Sequence, residues 1–265
     1  MVTSIMQSSQ SITAVSCINE GASAPLLLVC EHASPNIPKR YQSLGVDDEV
    51  LSSHVAFDIG AAELAKQLSA RLDARLVVGE VSRLVYDCNR PPEAPDAVPE
   101  KCEVFEIPGN RNLNPRQLED RHAQVYLPFE SVVRQQLDEL GQLATFITIH
   151  SFTPIYYGKR RDLDFGFLCS TDERLSLRLL QIMRDRTEYR CAINEPYGPD
   201  DGVAHTLDVH ANKRGLLNTM IEVNNDLLRS SDDQIAMADL LAPLINEAIR
   251  SFAASSFSNA ETAKA

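Results

Sequence analysis

The spacing of apolar positions changes several times along the chain, and each change marks an element. Leu26 to Cys30 (L-L-L-V-C) is an unbroken apolar run behind Pro25, the pattern of a short strand buried on both faces. Residues 47–72 have helical character with a break near Asp58–Gly60. Beyond the break, Leu64, Leu68 and Leu72 recur at four-residue steps and make one apolar face. Residues 74–81 read as a second strand, whereas residues 91–112 hold five prolines without periodicity and read as a long loop. A helix is predicted to open at Asn114, with Pro115 at its first position and Gln117 completing the cap. Its apolar face runs through Leu118, Val125, Phe129, Val132, Leu137 and Leu140, and Pro128 is expected to kink it. Strands follow at 144–149 and 163–169, a helix at 172–187, a short strand at 190–193, a turn-rich loop at 194–202 and a strand at 215–223. The last helix is expected from about Ser231 to Phe252, with Ser231 and Gln234 as a capping box.

Strands alternating with helices predict an α/β fold with a mainly parallel, mixed sheet covered by helices on both faces, a three-layer α/β/α domain. The expected organisation is a flexible tail over residues 1–20, one domain over 21–253 and a frayed tail over 254–265. There is no internal repeat, and no glycine-rich dinucleotide or phosphate loop.

Composition narrows the function classes. Lys and Arg number 25 against 37 Asp and Glu, for a net charge of −12. An acidic chain without a basic run argues against nucleic acid or an anionic membrane as partner. It leaves room for a small anionic substrate held by a few local arginines. The cysteines (Cys17, Cys30, Cys88, Cys102, Cys169, Cys191) form no C-x-x-C pair, which suits reduced thiols in a cytoplasmic protein. The Ser-rich start lacks the basic segment of a signal peptide, and no apolar run is long enough to span a bilayer. Nothing in the sequence sets the oligomeric state.

The candidate chemistry sits at strand ends, where open α/β sheets bind ligands. The first strand runs into Glu31-His32, the second into Ser82-Arg83 and then Asp87-Cys88-Asn89-Arg90. The third ends in His150-Ser151, and the last carries Glu222. His54 and Asp58, four apart, would share a helix face, with one binding a metal and the other supporting it, or with both forming a simple hydrogen-bonded pair. His32, His150 and a carboxylate make the two-nitrogen, one-oxygen set of catalytic zinc, and a further carboxylate can move protons. No G-x-S-x-G elbow is present.

The motifs C-E-H-A-S-P-N-I-P (30–38), H-V-A-F-D-I-G-A (54–61), S-R-L-V-Y-D-C-N-R (82–90), H-S-F-T-P (150–154), N-E-P-Y (194–197) and I-E-V-N-N-D-L (221–227) occur in this order. Together they resemble the N-formylglutamate amidohydrolase family over roughly residues 25–230. The resemblance implies a zinc carboxypeptidase-like, or phosphorylase/hydrolase-like, fold. It also implies one divalent metal, Zn²⁺ first, held by His32, Asp58 and His150, with His54 as rival to Asp58. Glu222 becomes general base and then general acid, and Arg83 stabilises the oxyanion. Asn89 and Arg90 receive the α-carboxylate, while Ser151, Arg160, Arg161, Asn194 and Tyr197 line the pocket. Two departures stand out. Zinc carboxypeptidases place a Glu three residues after the first His, but here Ala33, Ser34 and Pro35 follow His32. Family members often read Pro-Tyr-His in the middle helix, where this chain has Pro128-Phe129-Glu130. The implied reaction is hydrolysis of an N-acyl amino acid, N-formyl-L-glutamate first. The rivals are a carboxypeptidase-like or amidase activity on a small peptide or cell-wall fragment, and a catalytically silent metal-binding relative.

Overall fold

A computed structural model gives the fold over residues 12–262, with side chains described through Phe252. Seven strands form one sheet: β1 (Val15–Ile18), β2 (Leu26–Cys30), β3 (Arg75–Gly79), β4 (Thr145–Phe152), β5 (Phe165–Leu168), β6 (Cys191–Ile193) and β7 (Leu217–Asn224). Their spatial order is β1-β3-β2-β4-β7-β5-β6. The pairs β3–β2, β2–β4, β4–β7 and β5–β6 are parallel, and β1–β3 and β7–β5 are antiparallel. The sheet is therefore mixed and mainly parallel.

Helices cover both faces, which is why the central strands read as continuous apolar runs. On one face α1 (Ala61–Leu72), α4 (Arg174–Arg186) and α5 (Ser231–Thr262) pack on Leu28, Ile147, Ile149, Ile221 and Val223. Leu64, Leu68 and Leu72 of α1 are buried there, as their four-residue spacing predicts. On the other face α3 (Leu127–Leu140) lies against Leu27, Val29 and Phe146. The short helix α2 (Pro115–Arg121) opens with Asn114 and Gln117 capping each other, and a π-helical turn over His122–Tyr126 joins it to α3. The irregularity predicted at Pro128 thus falls just before it, because proline has no N–H to continue the regular ladder. Phe129 is in the core and Glu130 faces Arg134, so the departure from Pro-Tyr-His lies in packing and surface.

Several boundaries differ from expectation. The predicted tail over residues 1–20 contains β1, which gives the sheet an antiparallel edge; residues 1–11 of that tail lie outside the described residues. Helix α5 continues to Thr262, past the expected start of fraying, and residues 263–265 are likewise outside. Its cap is one residue earlier than predicted: Ser230 and Asp233 exchange hydrogen bonds. Residues 47–60 form only one helical turn, Asp48–Leu51, capped by Asp47. His54 and Asp58 therefore do not share a helix face. All six cysteines are free, and no helix among the described residues is long and apolar enough to cross a membrane.

Candidate active site

Three of the predicted strand-end groups, His32, His150 and Glu222, converge with Asp58 in one place. Asp58 comes from the turns before α1, where its N–H donates to the His32 carbonyl at 2.9 Å. Two residues on, Gly60 packs closely on Leu228. It starts α1 at φ +79°, and a Cβ there would collide with Leu228. His150 on β4 and Glu222 on β7 face each other in register across two parallel strands. On the far side of Glu222, β5 presents Gly166, whose missing side chain lets the Glu195 carbonyl come close and brings Pro196 and Tyr197 over the site.

His32, Asp58 and His150 are all buried, and they offer ligand atoms lying within 4.8 Å of one another. Asp58 Oδ2 stands 2.8 Å from His150 Nδ1 and 3.5 Å from His32 Nδ1. Each imidazole has a carboxylate behind it. His32 Nε2 bonds Asp87 Oδ1 at 2.7 Å, and His150 Nε2 lies 3.0 Å from Glu31 Oε2 without hydrogen-bond geometry. Asp87 also accepts from Arg83 at 2.7 Å and from the Asn89 N–H at 2.9 Å, so its position is fixed from three sides. This is the arrangement of metal-binding histidines, in which an outer carboxylate sets the tautomer and the ring orientation. His32 Nδ1 is buried and makes no hydrogen bond among the described residues, so it could serve as a metal ligand.

Charge interactions in the cluster are strong. Burial raises Asp58, but the two histidines outweigh it and hold the carboxyl far below its ordinary range. Asp87 is driven the same way against its burial, by Arg83 and His32. Burial and Arg83 push the His32 imidazole down, but Asp87 and Asp58 leave it above its ordinary value. His150 ends well above its ordinary value, since Glu31 and Asp58 outweigh burial. Glu222 behaves differently. Burial, with Asp58 adding to it, pushes its carboxyl up to about 7 against the pull of His150, and its Oε2 has no hydrogen-bond partner among the described residues.

A cavity of about 470 Å³ opens over this cluster. Arg83, Asn89, Arg90, Ser151, Arg161 and Tyr197 all line it, as the sequence suggests. Several are already engaged. The Asn89 amide grips the 203–206 loop through the Val203 carbonyl and the Thr206 N–H. The Ser151 hydroxyl donates to the Ile59 carbonyl. His54 lines the cavity, but its ring bonds Glu103 rather than joining His32 and His150. Two predicted residues are not brought to it: Asn194 accepts from the Cys169 N–H, and Arg160 is exposed on a small hairpin.

A profile of the N-formylglutamate amidohydrolase family matches residues 24–229, most of the chain. The chain belongs to the N-formylglutamate amidohydrolase family. Among solved structures it is similar to the gene product Atu2144 of Agrobacterium tumefaciens, with 44% identity and a TM-score of 0.88, over 90% of this chain and 96% of that one. It also shares its fold with the N-formylglutamate amidohydrolase of Ralstonia eutropha JMP134, at 16% identity and a TM-score of 0.63, over 89% of this chain and 99% of that one. No curated protein matches. The sequence places Glu31 and Asp87 at strand ends but gives neither a role, and the structure sets each of them behind an imidazole. Both lie within the family motifs, Glu31 next to His32 and Asp87 two residues before Asn89. Their roles rest on contacts far apart in the chain, Asp87 with His32 and Glu31 with His150, and their burial makes such a partner necessary.

Proposed function

We propose that the protein is a metal-dependent amidohydrolase that converts N-formyl-L-glutamate and water to formate and L-glutamate. One observation carries this reading: Nδ1 of His32, Nδ1 of His150 and Oδ2 of Asp58 face one another, each ring is backed by a carboxylate, and Glu222 stands beside them with a free oxygen. Two imidazoles and a carboxylate suit Zn²⁺ and leave a position for substrate or water. When bound there, the ion supplies Lewis acidity, polarising a carbonyl and making water more acidic.

The protein's own groups do the rest. Glu222 takes a proton from the attacking water and delivers it to the leaving nitrogen, a role open to a buried carboxyl with an unengaged oxygen beside the cluster. Arg83, locked to Asp87, holds positive charge beside the cluster and stabilises the developing oxyanion. Arg90 lines the cavity and receives the α-carboxylate, while Asn89 holds the 203–206 loop. Ser151 braces Asp58 through its N–H at 3.3 Å.

The test is a substrate panel on metal-replete protein: N-formyl-L-glutamate, its N-acetyl analogue and short dipeptides. Formate release fastest from N-formyl-L-glutamate is expected. Preferential cleavage of dipeptides, or no hydrolysis of any member, would overturn the assignment.

A further inference from the structure

Three guanidinium groups reach the cavity, and their surroundings differ. Arg83 is bound to Asp87 at 2.7 Å and lies 3.5 Å from Asp58. Arg90 donates to Asp96 at 2.7 Å and to the Gly202 carbonyl at 2.9 Å. Arg161 has no carboxylate within ion-pair distance among the described residues. Its Nη1 donates to the Tyr197 hydroxyl at 2.9 Å and to the Thr153 carbonyl at 3.3 Å, and its other two nitrogens bond no described residue.

The position of Arg161 is nevertheless tightly set. Its guanidinium carbon lies 4.3 Å from the Tyr156 ring centroid, 4.6 Å from Tyr197 and 5.9 Å from Phe152. Three rings around one cation restrict its rotamers and turn its remaining edge in one direction. The Arg161 N–H donates to the Pro154 carbonyl at 2.8 Å, which closes the base of the Ile155–Tyr156/Lys159–Arg160 hairpin and anchors the arginine just beyond β4. Such a site holds a cation in place, half-buried and without a counter-ion, with two nitrogens free. That is the geometry a planar carboxylate completes in bidentate fashion.

We propose that Arg161 is the residue through which the cavity reads a second carboxylate, so that N-formyl derivatives of dicarboxylic amino acids are selected over their neutral counterparts. This rests on the reading above, in which Arg90 takes the α-carboxylate. Tyr197 acts with Arg161 as a positioning residue: its hydroxyl accepts one guanidinium N–H and leaves the free edge for substrate.

The experiment compares wild type, Arg161→Gln and Arg161→Lys by two readouts. The first is kcat/KM for N-formyl-L-glutamate and for N-formyl-L-glutamine, which differ only in that second group. The second, independent of turnover, is calorimetric binding of L-glutamate and L-glutamine. Wild type should favour the glutamate form by about 10–100-fold, the value of one charge-assisted pair. In Arg161→Gln that ratio should collapse towards one, mainly through KM, and Arg161→Lys should restore part of it. A preference unchanged in Arg161→Gln, an equal loss on both ligands, or no glutamate preference in wild type would overturn the proposal. If wild type hydrolyses neither formyl compound yet binds glutamate preferentially through Arg161, the proposed reaction fails and the role of Arg161 stands.

Discussion

Glu222 and His150 occupy the same rung of adjacent parallel strands, so their side chains leave the sheet together on the same face. Both are buried, yet their charge tendencies are opposite. His150 is held above its ordinary value by Glu31 and Asp58, against its burial, whereas Glu222 is pushed up to about 7 chiefly by burial. One fits the candidate metal-binding cluster and the other the proton transfer proposed for Glu222.

The first prediction follows from that contrast. Glu222→Gln keeps the shape of the side chain and removes its ability to take a proton. Turnover should fall by about 10²–10⁴-fold, with the loss in kcat rather than KM. Metal content and melting temperature should stay close to wild type, because His32, Asp58 and His150 remain. Near-normal turnover would remove Glu222 from catalysis, and lost metal would make it a ligand.

Asp87 touches no substrate in this account, but it holds His32 and Arg83 together. Asp87→Asn should weaken metal affinity by about 10–100-fold, the usual effect of losing an outer carboxylate. Competition with a chromophoric chelator measures this. Unchanged affinity would mean that the His32 ring is fixed by other contacts.

The pH dependence of metal binding has a definite sign. Without an ion, His32 and His150 both stand above their ordinary value of 6.5, so each keeps its proton to higher pH. Their contribution to the stability of the ion-free fold is full below 6.5 and is lost as pH rises through the raised values. A metal needs both rings neutral, so apparent affinity should rise with pH through and beyond that point. Calorimetry in two buffers of different ionisation heat should show protons released on binding. Affinity independent of pH would show that the imidazoles are not ligands.

Much of this was legible in the sequence. Apolar runs and four-residue spacing gave the strands of the sheet and the face of α1, because burial on one or two faces writes directly into residue type. The strand-end rule gave His32, His150 and Glu222. What failed was the local geometry around His54. Four-residue spacing suggested a shared helix face, but Gly60 and the turns before it break the helix, so Asp58 turns to His32 while His54 pairs with Glu103. The edge strand β1 was missed because Val15–Ile18 follows a Ser-rich, uncharged start and gains its order by pairing with β3. The supporting roles of Glu31 and Asp87, and the engagement of Asn89 with the 203–206 loop, depend on contacts far apart in sequence and carry no local periodic signal.

Arg90 gives a prediction about binding. Its Nη1 and Nε are engaged by Gly202 and Asp96, which fixes the guanidinium at the cavity wall. Arg90→Ala should raise KM for N-formyl-L-glutamate by about 10–100-fold, and far less for the analogue whose α-carboxylate is blocked as an amide. Equal losses on both would remove Arg90 from carboxylate recognition.

The most direct test of the central claim is a metal titration of activity. Protein stripped with a chelator is titrated with Zn²⁺, and formate release from N-formyl-L-glutamate is followed at each addition. A single zinc site at His32, Asp58 and His150 gives negligible release at zero metal, a linear rise and a plateau at about one ion per chain, with no rise in His150→Ala. Full activity in the stripped protein, or no formate at any metal load, would contradict it.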